Sequence, residues 1–132
     1  MRSRNGLWMA LLLLTLSLQG CVVAGIWLGV AAGVGAYTYV QGELKADYSY
    51  PLNKTWDASL AAMKKLQINI TEQQKDAYSG KIVGTEPDGK KVTIKLENKG
   101  PTVTSVGVRV GTFGDQDASQ KVHQTILRIL KG

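Results

Sequence analysis

The feature that most constrains this chain is a change of texture after Ala36. Before it the residues are mostly apolar or small and the only charges are Arg2 and Arg4; after it polar and apolar residues alternate to the C-terminus. A water-exposed fold with a buried core can be built only from the second part, so residues 37–132 read as one domain, long enough for a modest core. The first part has zones of its own. Residues 1–6 carry both arginines, residues 7–18 (LWMALLLLTLSL) are apolar, and Gln19-Gly20 lead into Cys21. A positive start followed by about a dozen apolar residues has the form of a secretory signal peptide, because that run is short of the roughly 20 residues a permanent span needs. Residues 1–20 are therefore expected to be removed.

The end of that leader specifies its kind. Leu18-Gln19-Gly20-Cys21 resembles the bacterial lipobox, a leucine three residues before a cysteine with a small residue between them. In that family of signals the cysteine sulfur is alkylated with diacylglycerol, the chain is cut on its amino side, and the new amine is acylated. Three acyl chains exceed the two-signal threshold for stable anchoring, at about 0.8 kcal/mol per buried methylene. Cys21 is the expected lipid-attachment residue, with the mature protein beginning there. Val22, not aspartate, follows the cysteine, which resembles the pattern sent to the outer membrane in double-membrane bacteria. In that setting the tripeptides Asn53-Lys54-Thr55 and Asn69-Ile70-Thr71 read as chance matches to a glycosylation signal.

Composition then narrows the chemistry. One cysteine rules out an internal disulfide framework and a cysteine-based zinc cage, and one histidine rules out a multi-histidine metal centre. No cofactor and no metal are expected. The 16 basic side chains less Arg2 and Arg4, set against 10 acidic ones, leave a mature charge of +4, a mildly basic surface. An envelope location argues against nucleic acid as a partner.

Residues 22–36 (VVAGIWLGVAAGVGA) carry no charge. Gly25, Gly29 and Gly33 recur every four residues, which on a helix places them on one face where a partner can approach closely. The alternative is a loose spacer, since each glycine costs a helix about 1 kcal/mol relative to alanine. Either way residues 21–36 form a membrane-proximal segment, and Trp27 suits an interface.

Within the domain, Val40, Leu44, Ala46, Tyr48 and Tyr50 alternate with polar residues as in a half-buried strand, ended by Pro51. Asn53 is placed to cap a helix to about Leu66, with Trp56, Leu60 and Met63 on one face. Ile68 and Ile70 mark a short strand followed by a polar turn through about Asp76. Residues 78–85 form another strand, weakened by Gly80 and Gly84, and Pro87-Asp88-Gly89 signals a hairpin. Val92, Ile94 and Leu96 alternate on the returning strand; after a loop at 98–101, Val106, Val108 and Val110 do so on the next. Asp115 caps a closing helix whose apolar stripe is Ala118, Val122, Ile126 and Ile129. The expectation is an α+β two-layer sandwich, a mainly antiparallel sheet of four to five strands with two helices on one face, in the order β-α-β-β-β-β-α.

A family resemblance follows from several of these residues together. The lipobox cysteine, the glycine-rich segment, Tyr-Val-Gln-Gly-Glu-Leu at 39–44, Gly-Lys-Ile-Val-Gly at 80–84, and Val108-Arg109-Val110-Gly111 with Gly114-Asp115 look like a family of small Gram-negative-type bacterial lipoproteins grouped as a domain of unknown function. The similarity covers essentially the whole mature chain and implies location and fold, with no activity attached.

Candidate sites are few. His123 falls beside the stripe of the last helix with no nucleophile paired to it, so it reads as a structural or surface histidine and not a catalytic one. The segment from Arg109 to Asp115 joins a strand end to a helix start, and capping plus an Arg109–Asp115 ion pair accounts for it better than an anion site. No carboxylate pair is readable, so no enzyme is expected. One distributed feature remains: Lys45, Lys81, Lys95 and Arg109 share the sheet face away from the helices, with Glu43, Thr93 and Glu97. Such a face could dock an envelope protein or an anionic envelope component; the alternative is an ordinary solvated sheet face. The expected function is thus a non-enzymatic, lipid-anchored binding or adaptor module on the outer membrane, its domain facing the periplasm. The alternative is a structural lipoprotein self-associating through its glycine-spaced helix; the oligomeric state is not fixed by sequence.

Overall fold

The structure, a computed structural model, describes residues 34–132. Cys21 and the glycines Gly25, Gly29 and Gly33 lie outside the described residues, as does the leader. The described elements are β1 (Thr38–Val40), β2 (Glu43–Tyr48), α1 (Leu52–Lys65), β3 (Asn69–Lys75), β4 (Ser79–Thr85), β5 (Lys91–Gly100), β6 (Val103–Val110) and α2 (Gln116–Lys131). The strands form one sheet in the order β1-β2-β6-β5-β4-β3, with every pair antiparallel. The α+β class is as expected, with six strands in place of four to five.

The extra strand comes from a hairpin inside what reads as one strand. Gln41 and Gly42 both take left-handed backbone angles (φ 53° and 82°), and Val40 faces Glu43 across a two-residue turn. Primed turns of this kind match the twist of the flanking strands. The reversal puts Val40 on the same side as Glu43, not with Leu44, and leaves it exposed. Ahead of β1, Val34 bridges Tyr48 and is buried.

Helix α1 begins two residues earlier than a cap at Asn53 would allow. Pro51 is its N-cap in extended conformation, and Thr55 Oγ1 donates to the Pro51 carbonyl (2.9 Å). Asn53 instead accepts from Lys75 Nζ at 2.7 Å. The helix closes after Lys64 and Lys65, two cations suited to its negative end, and Gln67 turns the chain at φ 59°. In contrast, α2 is capped as expected: Asp115 accepts from the Ala118 amide at 3.0 Å.

Two other strands run longer than expected. β3 runs through Asn69–Lys75, where a polar turn is expected, because it pairs its backbone with β4 while exposing its side chains; a bulge interrupts it at Thr71. β5 continues to Gly100, where a loop is expected, and the reversal into β6 is confined to Pro101 and Thr102. Gly80 and Gly84 face α1, where an added Cβ would fall 2.6 Å from the Trp56 ring and 2.7 Å from Ile68. They are the clearance that lets the helix lie close to the sheet.

Both helices cover the same side. Leu44, Ala46 and Tyr48 of β2, Ile82 of β4, Val92, Ile94 and Leu96 of β5 and Val106, Val108 and Val110 of β6 point into the core against Trp56, Ala62 and Met63 of α1 and Val122, Ile126 and Leu130 of α2. Each fully buried large aliphatic of this set contributes about 1.5–3 kcal/mol. Period-2 alternation then dictates that the intervening residues face the other way. Among the described residues that second sheet face carries no helix.

Candidate functional site

The open face is laid out in rows by strand register. Lys45 of β2 and Lys95 of β5 both pair with Gly107 of β6, and Lys95 pairs with Lys81 of β4. With strands about 4.8 Å apart, three lysines and one glycine thus form a single line across four strands. The row on one side holds Asp47, Ser105, Glu97 and Ser79. On the other side Arg109 pairs with Thr93, and Glu43 starts β2 one residue before Leu44, the partner of Val108. The four basic residues expected on this face are all there.

Direct opposition of Lys81 and Lys95 is unfavourable, since like charges facing each other across strands repel. Lys95 has partial compensation from Glu43 Oε2 at 4.0 Å, and Lys45 from Glu43 Oε1 at 3.9 Å. Lys81 makes no ion pair among the described residues. The Glu43 contacts exceed hydrogen-bond length and the lysine heads are more than half exposed, so each stabilises by well under about 1 kcal/mol.

These side chains line a shallow groove of about 480 Å³. Its far wall is the β3–β4 connection, where Asp76 accepts from the Tyr78 and Ser79 amides, both at 2.8 Å. Those two bonds hold the Asp76 carboxyl below its usual range. Gln74, Lys75, Ser79 and Ser105 also line the groove. Sequence reasoning misses Gln74 and Lys75, because the polar run that carries them does not announce itself as a strand. Gly107 was equally silent: one glycine in a valine-rich run gives no sign that a neighbouring side chain occupies its place.

Arg109 sits to one side. With Val40, Gln41, Glu43, Lys45 and Lys95 it lines a second hollow of about 280 Å³. Its guanidinium donates to the Thr112 carbonyl at 2.5 Å, so the expected ion pair with Asp115 does not form; Asp115 lies 3.9 Å from Lys90 instead. The reason is the loop, which turns through left-handed Gly111 and Gly114 and offers the arginine a nearer acceptor.

His123 belongs to the core. It is fully buried, its Nε2 donates to the Leu44 carbonyl at 2.7 Å, and its Nδ1 accepts from the Tyr48 hydroxyl at 2.5 Å. A carbonyl can only accept, which fixes the proton on Nε2. Burial holds the imidazole down at about 4, partly opposed by the Leu44 bond. The rings of Tyr37 and Tyr48 approach it edge-on, and burial lifts the Tyr48 hydroxyl well above its ordinary value. A neutral histidine that ties α2 to β2 is structural. Among the described residues no three His, Cys, Asp or Glu side chains gather as metal ligands, and no helix is long and apolar enough to cross a membrane.

A family model described as Protein of unknown function (DUF3568) matches residues 6–128. The chain belongs to this family. The match runs from the N-terminal apolar residues through the glycine-spaced segment and every strand of the sheet into α2, so the DUF3568 family unit takes in both the apolar region and the folded domain. Among curated proteins none matches the chain.

Proposed function

We propose that this DUF3568 protein is a lipid-anchored, non-enzymatic binding module of the bacterial outer membrane, whose open sheet face takes an anionic component of the envelope. The carrying observation is the row Lys45–Gly107–Lys95–Lys81, in which two lysines oppose each other directly and one has no ion pair among the described residues. A counter-charge from a bound partner would remove that repulsion. The leader ending in Cys21 supports the anchor, and the palmitate-type acyl chains it would carry keep the domain within reach of the membrane. The domain is proposed to face the periplasm.

The test is crosslinking in intact cells followed by enrichment, comparing the native chain with a variant in which Lys45, Lys81, Lys95 and Arg109 are replaced by glutamine. All four side chains point away from the core, so the variant should fold. A specific partner that disappears in it supports the reading; the same partners in both samples reject this face. The spacing of Gly25, Gly29 and Gly33 supports a second reading, a structural lipoprotein that self-associates through that segment. Gly29→Leu separates the two, because only self-association predicts loss of self-crosslinks while the charge-dependent partner is kept.

A further inference from the structure

Glycine in the middle of a strand weakens it and commonly marks a place where something approaches the backbone closely. Gly107 is flanked by Val106 and Val108, both fully buried on the helix side, so it is the one outward position of this stretch with no side chain. The approaching group is known: an added Cβ at Gly107 would collide with Glu43 Oε1 and lie 2.9 Å from Glu43 Cδ. Glu43 thus lies down into a recess whose floor is Gly107 and whose two sides are Lys45 and Lys95.

The fit is incomplete in an informative way. Oε1 is buried and has no hydrogen-bond partner; the Lys45 ammonium stops 3.9 Å from it, and the Lys95 ammonium stops 4.0 Å from Oε2. A carboxylate oxygen removed from water without a hydrogen bond is a net liability. A carboxylate delivered from outside could be met by both lysines at hydrogen-bond distance, since both side chains are more than half exposed.

We propose that the recess over Gly107 is the carboxylate subsite of the groove, that its ligand is a glutamate or aspartate side chain of an acidic peptide segment, and that Glu43 occupies it as an internal stand-in that the ligand displaces. The inference rests on the reading of the groove as a binding face and adds the chemical class of the ligand and the competitor. A peptide so held would lay its neighbouring acidic residues against Lys81, one strand beyond Lys95, and could meet the hydroxyls of Ser79 and Ser105 in the adjacent row.

The experiment titrates hexa-L-glutamate into the full chain in nonionic detergent micelles, following binding calorimetrically. Glu43→Gln should bind more tightly by about fivefold, because its two weak lysine contacts are released together. Glu97→Gln adds the same charge to the same face away from the recess and should change binding by less than about twofold. In a Gly107→Ala background, where the methyl group fills the floor, the gain from Glu43→Gln should vanish. Equal gains from Glu43→Gln and Glu97→Gln would overturn the recess and leave only general charge. A gain from Glu43→Gln of the same size for tripolyphosphate would overturn the assignment to a carboxylate. Binding that is lost in Lys81→Gln/Lys95→Gln but indifferent to Glu43 would keep the groove and reject the stand-in, while absence of binding in every variant would reject both.

Discussion

At the scale of single residues, His123 shows how one buried polar group couples stability to pH. The folded domain holds it neutral down to about pH 4, whereas an exposed imidazole takes its proton near 6.5. Between those values the unfolded chain binds a proton that the folded one refuses, so stability must fall as pH drops from 6.5 towards 4 and level off below. The full shift corresponds to about 3 kcal/mol. This is the chain's single histidine, and carboxylates titrate mostly below pH 5, so the interval from 7.5 to 5.5 reports on it almost alone. Urea unfolding should show a loss of about 1 kcal/mol over that interval. His123→Gln should be less stable near pH 7.5, since it disturbs the bonds to Leu44 and Tyr48, yet flat across the same interval. A native-like slope in that variant would assign the effect to another group.

At the scale of elements, the closeness of α1 to the sheet depends on what β4 lacks. Gly80 lies under the Trp56 ring, with an added Cβ only 2.6 Å away, and the ring is held on a buried helix face. Gly80→Ala should therefore force the helix or the ring to shift and destabilise by about 2 kcal/mol. Gly100→Ala, with nothing within 4 Å of the new methyl, should change the urea midpoint by less than the equivalent of about 0.5 kcal/mol. Comparable effects from the two would mean that backbone entropy, not packing, governs both. The neighbouring strands show what is legible in the sequence. Alternation of Val92, Ile94, Leu96 and of Val106, Val108, Val110 defines central strands, and Asp115 and the Pro87-Asp88-Gly89 turn mark their neighbours, because in each case one residue's side chain decides the local structure. Beyond Ile70 β3 is not legible, since an edge strand with both faces wet has no need of alternation. The Gln41-Gly42 turn is hidden because glutamine seldom takes a left-handed backbone. The roles of Gly80, Gly84 and Gly107 are hidden for a common reason: a glycine's meaning lies in the neighbour that fills its space, and the neighbours Trp56, Met63 and Glu43 are distant in sequence.

At the scale of the whole molecule, the placement of both helices on one face leaves the other as a broad charged surface, and a lipid at Cys21 would hold that surface near a membrane. The anchor and the surface make separable predictions. Cys21→Ser should abolish labelling by radioactive palmitate and move the protein out of the membrane fraction, while leaving the urea midpoint of the domain unchanged, because the core named above runs from Val34 to Leu130. A membrane-bound, unlabelled Cys21→Ser protein would shift the anchoring to the glycine-spaced segment. The surface behaves differently. Its cations are exposed, so a partner held by them feels the full screening of the solvent, whose Debye length contracts from about 10 Å at 0.1 M salt to about 3 Å at 1 M. Capture of an acidic partner should weaken steeply over that range for the native chain and shallowly for the four-glutamine variant. A native complex indifferent to salt would place its contacts elsewhere, on the exposed Phe113 or Tyr78, and would detach the row of lysines from function altogether.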